Sequence, residues 1–234
     1  MKVTHQIVAG AIWLGLSASS YADDASFEDR VRAYLLENPE VIVEALSILA
    51  EREERTAIVA RLEQFPELFT DESRLREGAA SAPIRVVEFF DYKCVPCKTM
   101  HPGLVEFVGA NPDVQIEMRH LPILTPGSER AARFALATDA AYGPEKYRAV
   151  HDQIWASRGP LNVAGFKLIA DDLGLDFAKI EALMDESSID ARIDFNRDVA
   201  IALEVLGTPA FVTKDSVTFG STDIATLAAL WLNQ

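Results

Sequence analysis

Val86-Val87-Glu88-Phe89-Phe90-Asp91-Tyr92-Lys93-Cys94-Val95-Pro96-Cys97-Lys98 holds both cysteines of the chain, and its pattern is that of a buried strand running into a helix. Val86 to Phe90 is apolar except for Glu88, as in a central strand covered on both faces. Asp91 to Lys93 is short and polar, a connecting loop. A helix beginning near Val95 puts Cys94 at its N-terminus, where free N–H groups and the positive end of the dipole stabilise a thiolate. Lys93 and Lys98 add positive charge. Cys94 is therefore the expected nucleophile, and Cys97, one turn deeper, the expected resolving thiol.

The C-x-x-C spacing alone also fits a zinc site or two core cysteines. A closed zinc site needs two further ligands; with no other cysteine in the chain, the nearest candidate is His101, so this neighbourhood offers three at most. Covalent haem attachment requires histidine directly after the second cysteine, and Lys98 stands there. No metal is expected, and thiol–disulfide chemistry remains.

The segment resembles the active-site stretch of the DsbA-like thioredoxin-fold proteins of the bacterial periplasm. A second match lies far downstream: Gly207-Thr208-Pro209-Ala210-Phe211-Val212 is similar to the family's cis-proline loop and following strand. The resemblance spans roughly 83–234 and implies an α/β thioredoxin fold with an inserted helical domain. It also implies a redox-active Cys94–Cys97 pair as the only cofactor. In that family the proline is cis and lies against the active-site disulfide, which makes Pro209 its counterpart here and Thr208 a residue that tunes the thiols. A cis bond there would free the Thr208 backbone to pair with an extended client beside Cys94. Val95 and Pro96 join Thr208 and Pro209 as expected substrate contacts. Val95-Pro96 departs from the Pro-Tyr and Pro-His pairs frequent in the family, so oxidising strength does not carry over. Glu88 occupies the place of the family's buried acid near the resolving cysteine; burial would raise its pKa and let it exchange protons with Cys97.

Upstream, residues 1–22 have the form of a cleaved secretory signal: Lys2, an apolar run from Ile7 to Leu16, and Ser20-Tyr21-Ala22 as a small-x-small cleavage site. Export to an oxidising periplasm suits a redox pair. The net charge of -14 argues against nucleic-acid binding. Residues 23–76 read as a helical stalk. Ser26 can cap a helix carrying Val31, Tyr34 and Leu35, and Asn38-Pro39 starts a second with Val41, Ile42, Ala45, Leu46, Ile48 and Leu49, a band wider than one surface stripe. Tyr34-Leu35-Leu36-Glu37-Asn38-Pro39-Glu40 and the residues after it resemble the N-terminal segment of ScsC-like proteins, some of which trimerise through it. A homo-oligomer is the favoured expectation, a trimer by resemblance, with packing on the same chain's catalytic domain as the alternative. Pro66 interrupts the spacing of Ile58, Leu62, Phe65 and Phe69. Small residues at 77–83 suggest a flexible linker, followed by the catalytic domain, 84–234.

Within that domain, Val114, Ile116, Met118 and His120 alternate as a half-buried strand, and Ser128 can cap the next helix. Helical periodicity then fills about 127–206, the expected insertion, before a strand at Ala210 to Thr213, a second at Ser216 to Phe219 and a closing helix. His101 is expected at the surface, and His120 and His151 look structural. These features point to a periplasmic, oligomeric disulfide isomerase or reductase acting on exported proteins and served by a membrane thiol-redox partner. Two alternatives stand: a monomeric DsbA-type dithiol oxidase, and a copper-binding or copper-protective protein in which His101 assists the two thiolates.

Overall fold

The computed structural model describes residues 26–69 and 75–233; the expected signal at 1–22 lies outside the described residues. The chain divides into two units, Met1–Ala50 and Glu51–Gln234.

In the first unit, α1 (Phe27–Glu37) starts where the Ser26 hydroxyl accepts the Asp29 N–H at 3.1 Å, which satisfies one of the free donors of the first turn. Asn38 and Pro39 break the run, and α2 (Glu40–Leu62) follows. None of residues 26–50 is buried; Ile42, Val43, Leu46, Ile48 and Leu49 of α2 all stand exposed. Among the described residues no helix is long and apolar enough to cross a membrane.

The second unit takes in the end of α2, where Ile58 and Leu62 are buried. A short 3₁₀ turn at Pro66–Leu68 stands where Pro66 forbids a continuous helix. Then come β1 (Arg76–Glu77), β2 (Ile84–Phe90), α3 (Val95–Ala110) and β3 (Val114–His120). Five helices follow: α4 (Pro126–Tyr142), α5 (Pro144–Ala156), α6 (Val163–Asp172), α7 (Phe177–Glu181) and α8 (Ser187–Ala202). The unit closes with β4 (Ala210–Val212), β5 (Val217–Phe219) and α9 (Ile224–Leu232). The sheet order is β1-β3-β2-β4-β5. Among the described strands only β2 and β3 pair parallel; the other neighbours pair antiparallel. This is the mixed sheet with an inserted helical block that the sequence leads one to expect.

Alternation along β2 divides the core. Val86 and Phe90 join the cluster built with α3, α4, α5 and both cysteines, while Val87 and Phe89 join the cluster beneath α8, which Ile58 and Leu62 complete. Both faces of the central strand are thus covered, consistent with its nearly unbroken apolar run.

Three local expectations are corrected. The run 77–83 is not a free linker at its start: Glu77 pairs with Ile116 of β3, Gln115 Nε2 donates to the Ala79 carbonyl at 2.8 Å, and Ala82 is buried. Gly78, at φ +89°, sits so close to β3 that a Cβ there would fall 2.4 Å from the Val114 carbonyl oxygen. Second, β3 is buried on both faces rather than one. Its polar positions are covered because β1 closes its outer edge and Glu117 pairs with Arg85 at 3.2 Å and Arg119 at 2.5 Å. Third, the cap of α4 is Thr125, whose hydroxyl accepts the Ser128 N–H at 3.1 Å, with Ser128 returning the bond to the Thr125 amide. Ser128 is thus the far member of a reciprocal box.

Candidate active site

β2 and β3 run parallel, so their C-terminal ends emerge side by side: Phe90 pairs with His120, and the Leu121 N–H donates to the Phe90 carbonyl at 2.8 Å. Crevices at the carboxyl ends of parallel strands are where such sheets place their sites. Here β2 delivers Asp91, Tyr92 and Lys93, and α3 opens with Cys94 as its N-cap.

Cys94 Sγ accepts the Cys97 N–H at 3.2 Å, as a helix cap does, and lies 3.2 Å from the Thr208 carbonyl oxygen, to which its thiol donates. Both cysteines are free thiols, and both are buried. The Cys94 thiol is pulled down to about 6. The hydrogen bond from the Cys97 thiol is the main cause, and the Thr208 side chain and the Cys97 N–H add to it against burial and the Asp91 charge. Cys97 is pushed far up, first because its own proton is held in the bond to Cys94 and second by burial. One thiol is therefore largely ionised at neutral pH and the other stays protonated, the division that nucleophile and resolving thiol require. Val95 is 72% exposed and Pro96 is exposed at the mouth.

The Thr208–Pro209 peptide is cis, and Pro209 is buried. With Cys94 as the thiol, Thr208 Oγ1 has no hydrogen-bond partner among the described residues; it lowers the Cys94 pKa by being free to donate to the sulfur once that is ionised. Leu206, two residues before Thr208, is 92% exposed.

Glu88 is 1% exposed and shares the Val86–Phe90 face of β2, between Met118 of β3 and Phe211 of β4. Neither carboxylate oxygen has a hydrogen-bond partner among the described residues. Burial first, then the Cys94 and Glu77 charges, raises its pKa to about 8; in turn its charge is one of the influences that raise Cys97. The buried setting expected for Glu88 is the one observed.

His101 is corrected: it is partly buried, with its ring stacked on Trp155 at 5.8 Å between centroids and 5.3 Å from the His151 ring. Burial lowers it to about 4. The aromatic cover comes from α5, remote in sequence, so α3 alone gave no sign of it. The metal-capable group that forms around His101 contains His151 and Asp152, not the two cysteines. Both nitrogens of His151 are engaged, Nε2 accepting from Trp155 at 2.7 Å and Nδ1 meeting the Tyr92 hydroxyl at 2.9 Å. His120 Nε2 meets the Tyr147 hydroxyl at 2.7 Å. These two histidines are structural, as their sequence setting indicates.

The residue that the sequence did not single out is Asp91, 2% exposed. Its carboxylate accepts the N–H of Lys93 at 2.7 Å, of Ile123 at 3.0 Å and of Leu124 at 3.1 Å. Asp followed two residues on by a free N–H is a turn-forming signal, and that signal was available.

A family model described as the DSBA-like thioredoxin domain matches residues 85–230. A second, described as the copper resistance protein ScsC N-terminal domain, matches 23–55. Among curated relatives, the Na(+)/H(+) antiporter NhaA 1 of Salinispora arenicola is 30% identical over 152 residues, covering 65% of this chain and 23% of its own length. This chain thus spans less than a quarter of that relative. Among solved structures, a thioredoxin-like oxidoreductase from Silicibacter pomeroyi is 33% identical with a TM-score of 0.64, covering 69% of this chain and 92% of that one. Proteus mirabilis ScsC in a transitional conformation covers 87% of this chain and 92% of its own at 24% identity and a TM-score of 0.64, a likeness of fold.

Proposed function

The chain belongs to the DSBA-like thioredoxin family, and on that footing we propose that it is a periplasmic thiol–disulfide oxidoreductase working as an oligomeric isomerase and reductase of exported proteins. The observation that carries the proposal is the seat of Cys94: a thiol lowered to about 6 at a helix N-cap, with a protonated partner three residues on and a remote backbone carbonyl against it.

In the reductive direction the Cys94 thiolate attacks one sulfur of a client disulfide. The Cys94–client bond forms as the client bond breaks, and the departing client sulfur takes a proton from solvent. Cys97 then gives up its proton and attacks Cys94 Sγ, forming the Cys94–Cys97 disulfide and expelling the second client sulfur, which is protonated in turn. The client gains the electron pair that the protein loses. In isomerisation a second client thiol attacks the mixed disulfide before Cys97 does, Cys94 leaves as thiolate, and no net electrons pass. Glu88, raised to about 8, holds its own proton in most molecules at neutral pH; its ionised fraction, which grows as pH rises towards 8, accepts the Cys97 proton and returns it on reduction. A membrane thiol partner re-reduces the pair.

An extended client pairs with the chain before Pro209: the N–H groups of Leu206 and Thr208 make no backbone hydrogen bond among the described residues. A second copy covers the exposed apolar residues of α2, a reading supported by the match of 23–55 to the ScsC N-terminal model. Copper binding by Cys94, Cys97 and His101 has only that model's description behind it, since His101 gathers with His151 and Asp152 instead.

The test is a trapping experiment with a disulfide-bonded peptide. Cys97→Ser should accumulate a mixed disulfide through Cys94, and Cys94→Ser should form none. No adduct on Cys97→Ser, with wild type equally inert, sinks the proposal.

A further inference from the structure

Asp91 touches two segments at once. Through Lys93 N–H it shapes the turn that presents Cys94, whose own N–H donates to the Asp91 carbonyl at 2.9 Å. Through Ile123 and Leu124 N–H it ties down the loop that leaves β3. An acceptor with three donors and no donation of its own is a carboxylate, and here it is buried one turn behind the reacting sulfur. The loop it holds carries Ile123 and Leu124 with their side chains exposed, at the strand ends where the thiols also emerge.

We propose that Asp91 is a positioning residue for the thiol–disulfide reaction: it brackets the Ile123–Leu124 loop to the active-site turn and keeps a fixed negative charge behind Cys94 that restrains the oxidising strength of the pair. The inference rests on the thiol–disulfide activity proposed above. The physical reason is that reduction creates a thiolate at Cys94, and a nearby anion disfavours the reduced, charged form relative to the neutral disulfide. The helix N-terminus and the Cys97 and Thr208 donors pull the other way, and Asp91 is among the influences that raise the Cys94 thiol. The residue that builds the turn thus also tempers it, as suits an enzyme that must hold electrons for reduction and shuffling.

The test is redox equilibration of the full chain with glutathione at neutral pH, in which protein disulfide plus two glutathione thiols give protein dithiol plus glutathione disulfide. Asp91→Asn removes the charge at equal size. The expected result is a shift of the equilibrium constant of about threefold or more toward the reduced protein, the equivalent of roughly half a pKa unit, together with faster amide exchange at Ile123 and Leu124. An equilibrium constant within twofold of wild type would overturn the inference while leaving the oxidoreductase standing. No exchange with glutathione by either protein overturns the activity and the inference with it. Should Asp91→Asn fail to fold, wild type decides: amide exchange at Ile123 and Leu124 slowed at least about a hundredfold supports the bracket, and exchange at free-loop rates overturns it.

Discussion

The Cys94 thiol donates to the Thr208 carbonyl at 3.2 Å across 114 residues of sequence, so the nucleophile is finished by a loop that the whole helical insertion must fold to deliver. When Cys94 ionises, that bond is lost and the Thr208 hydroxyl, unpartnered among the described residues, is the group free to replace it.

Thr208→Val should therefore raise the Cys94 pKa from about 6. The size expected for losing one hydrogen bond to a charged atom is roughly one unit. The pH dependence of alkylation of the reduced protein reads this directly: in wild type the rate climbs through about pH 6 and levels off, and in the variant the climb moves up.

Glu88 makes stability fall as pH rises. Its folded pKa, raised from 4.5 to about 8, means that between those values the folded protein holds a proton that the unfolded chain has released. The folded state binds more protons there, so unfolding free energy declines with increasing pH and the loss is complete above about 8. Glu88→Gln removes this dependence. Relative to wild type the variant should gain stability from pH 5 to pH 8 by up to roughly 4 kcal/mol, measured by denaturant unfolding of the reduced proteins at both pH values.

His101, lowered to about 4 by burial, is neutral across the working range. His101→Gln should leave the shape of the alkylation profile between pH 5 and 8 unchanged. Its cost is in stability, about 0.5–1.5 kcal/mol for the lost ring contact with Trp155, read as a lower denaturation midpoint.

The N-terminal boundary of the catalytic fold is set by buried side chains. A chain starting at Glu51 keeps Ile58, Leu62, Leu68 and Leu75, all buried, and should fold. One starting at Ala79 loses all four and β1. At about 1.5–3 kcal/mol for each buried aliphatic side chain, that removes as much as the whole stability of an ordinary domain, and the shorter chain should show no cooperative unfolding transition.

Much of this architecture was legible because it is written in local patterns. The apolar run ending in Asp91 fixed β2, the cysteine at the head of α3 fixed the cap, and Glu88 betrayed its burial by interrupting an otherwise apolar strand. What escaped was set by distant partners. β1 is two residues in a charged stretch, held by Gly78 and β3 rather than by its own propensity. Alternating polar residues made β3 look half exposed; Arg85 beside Glu117, the Ala79 carbonyl on Gln115 and β1 along the edge help to cover them. His101 is shielded by Trp155 from another helix, and Asp91 looks like ordinary loop chemistry until the Ile123 and Leu124 amides arrive from the neighbouring strand.

Recovery of activity from scrambled ribonuclease separates an assembled isomerase from a simple dithiol oxidase, comparing the chain from Asp23, the chain from Glu51 and Cys94→Ser at equal catalytic-domain concentration. Reactivation is expected from the longer chain, with little from the chain starting at Glu51 despite intact folding and glutathione exchange, and none from Cys94→Ser. Equal reactivation by both chains, or failure of both while each oxidises reduced ribonuclease, would contradict an isomerase assembled through its N-terminal helices.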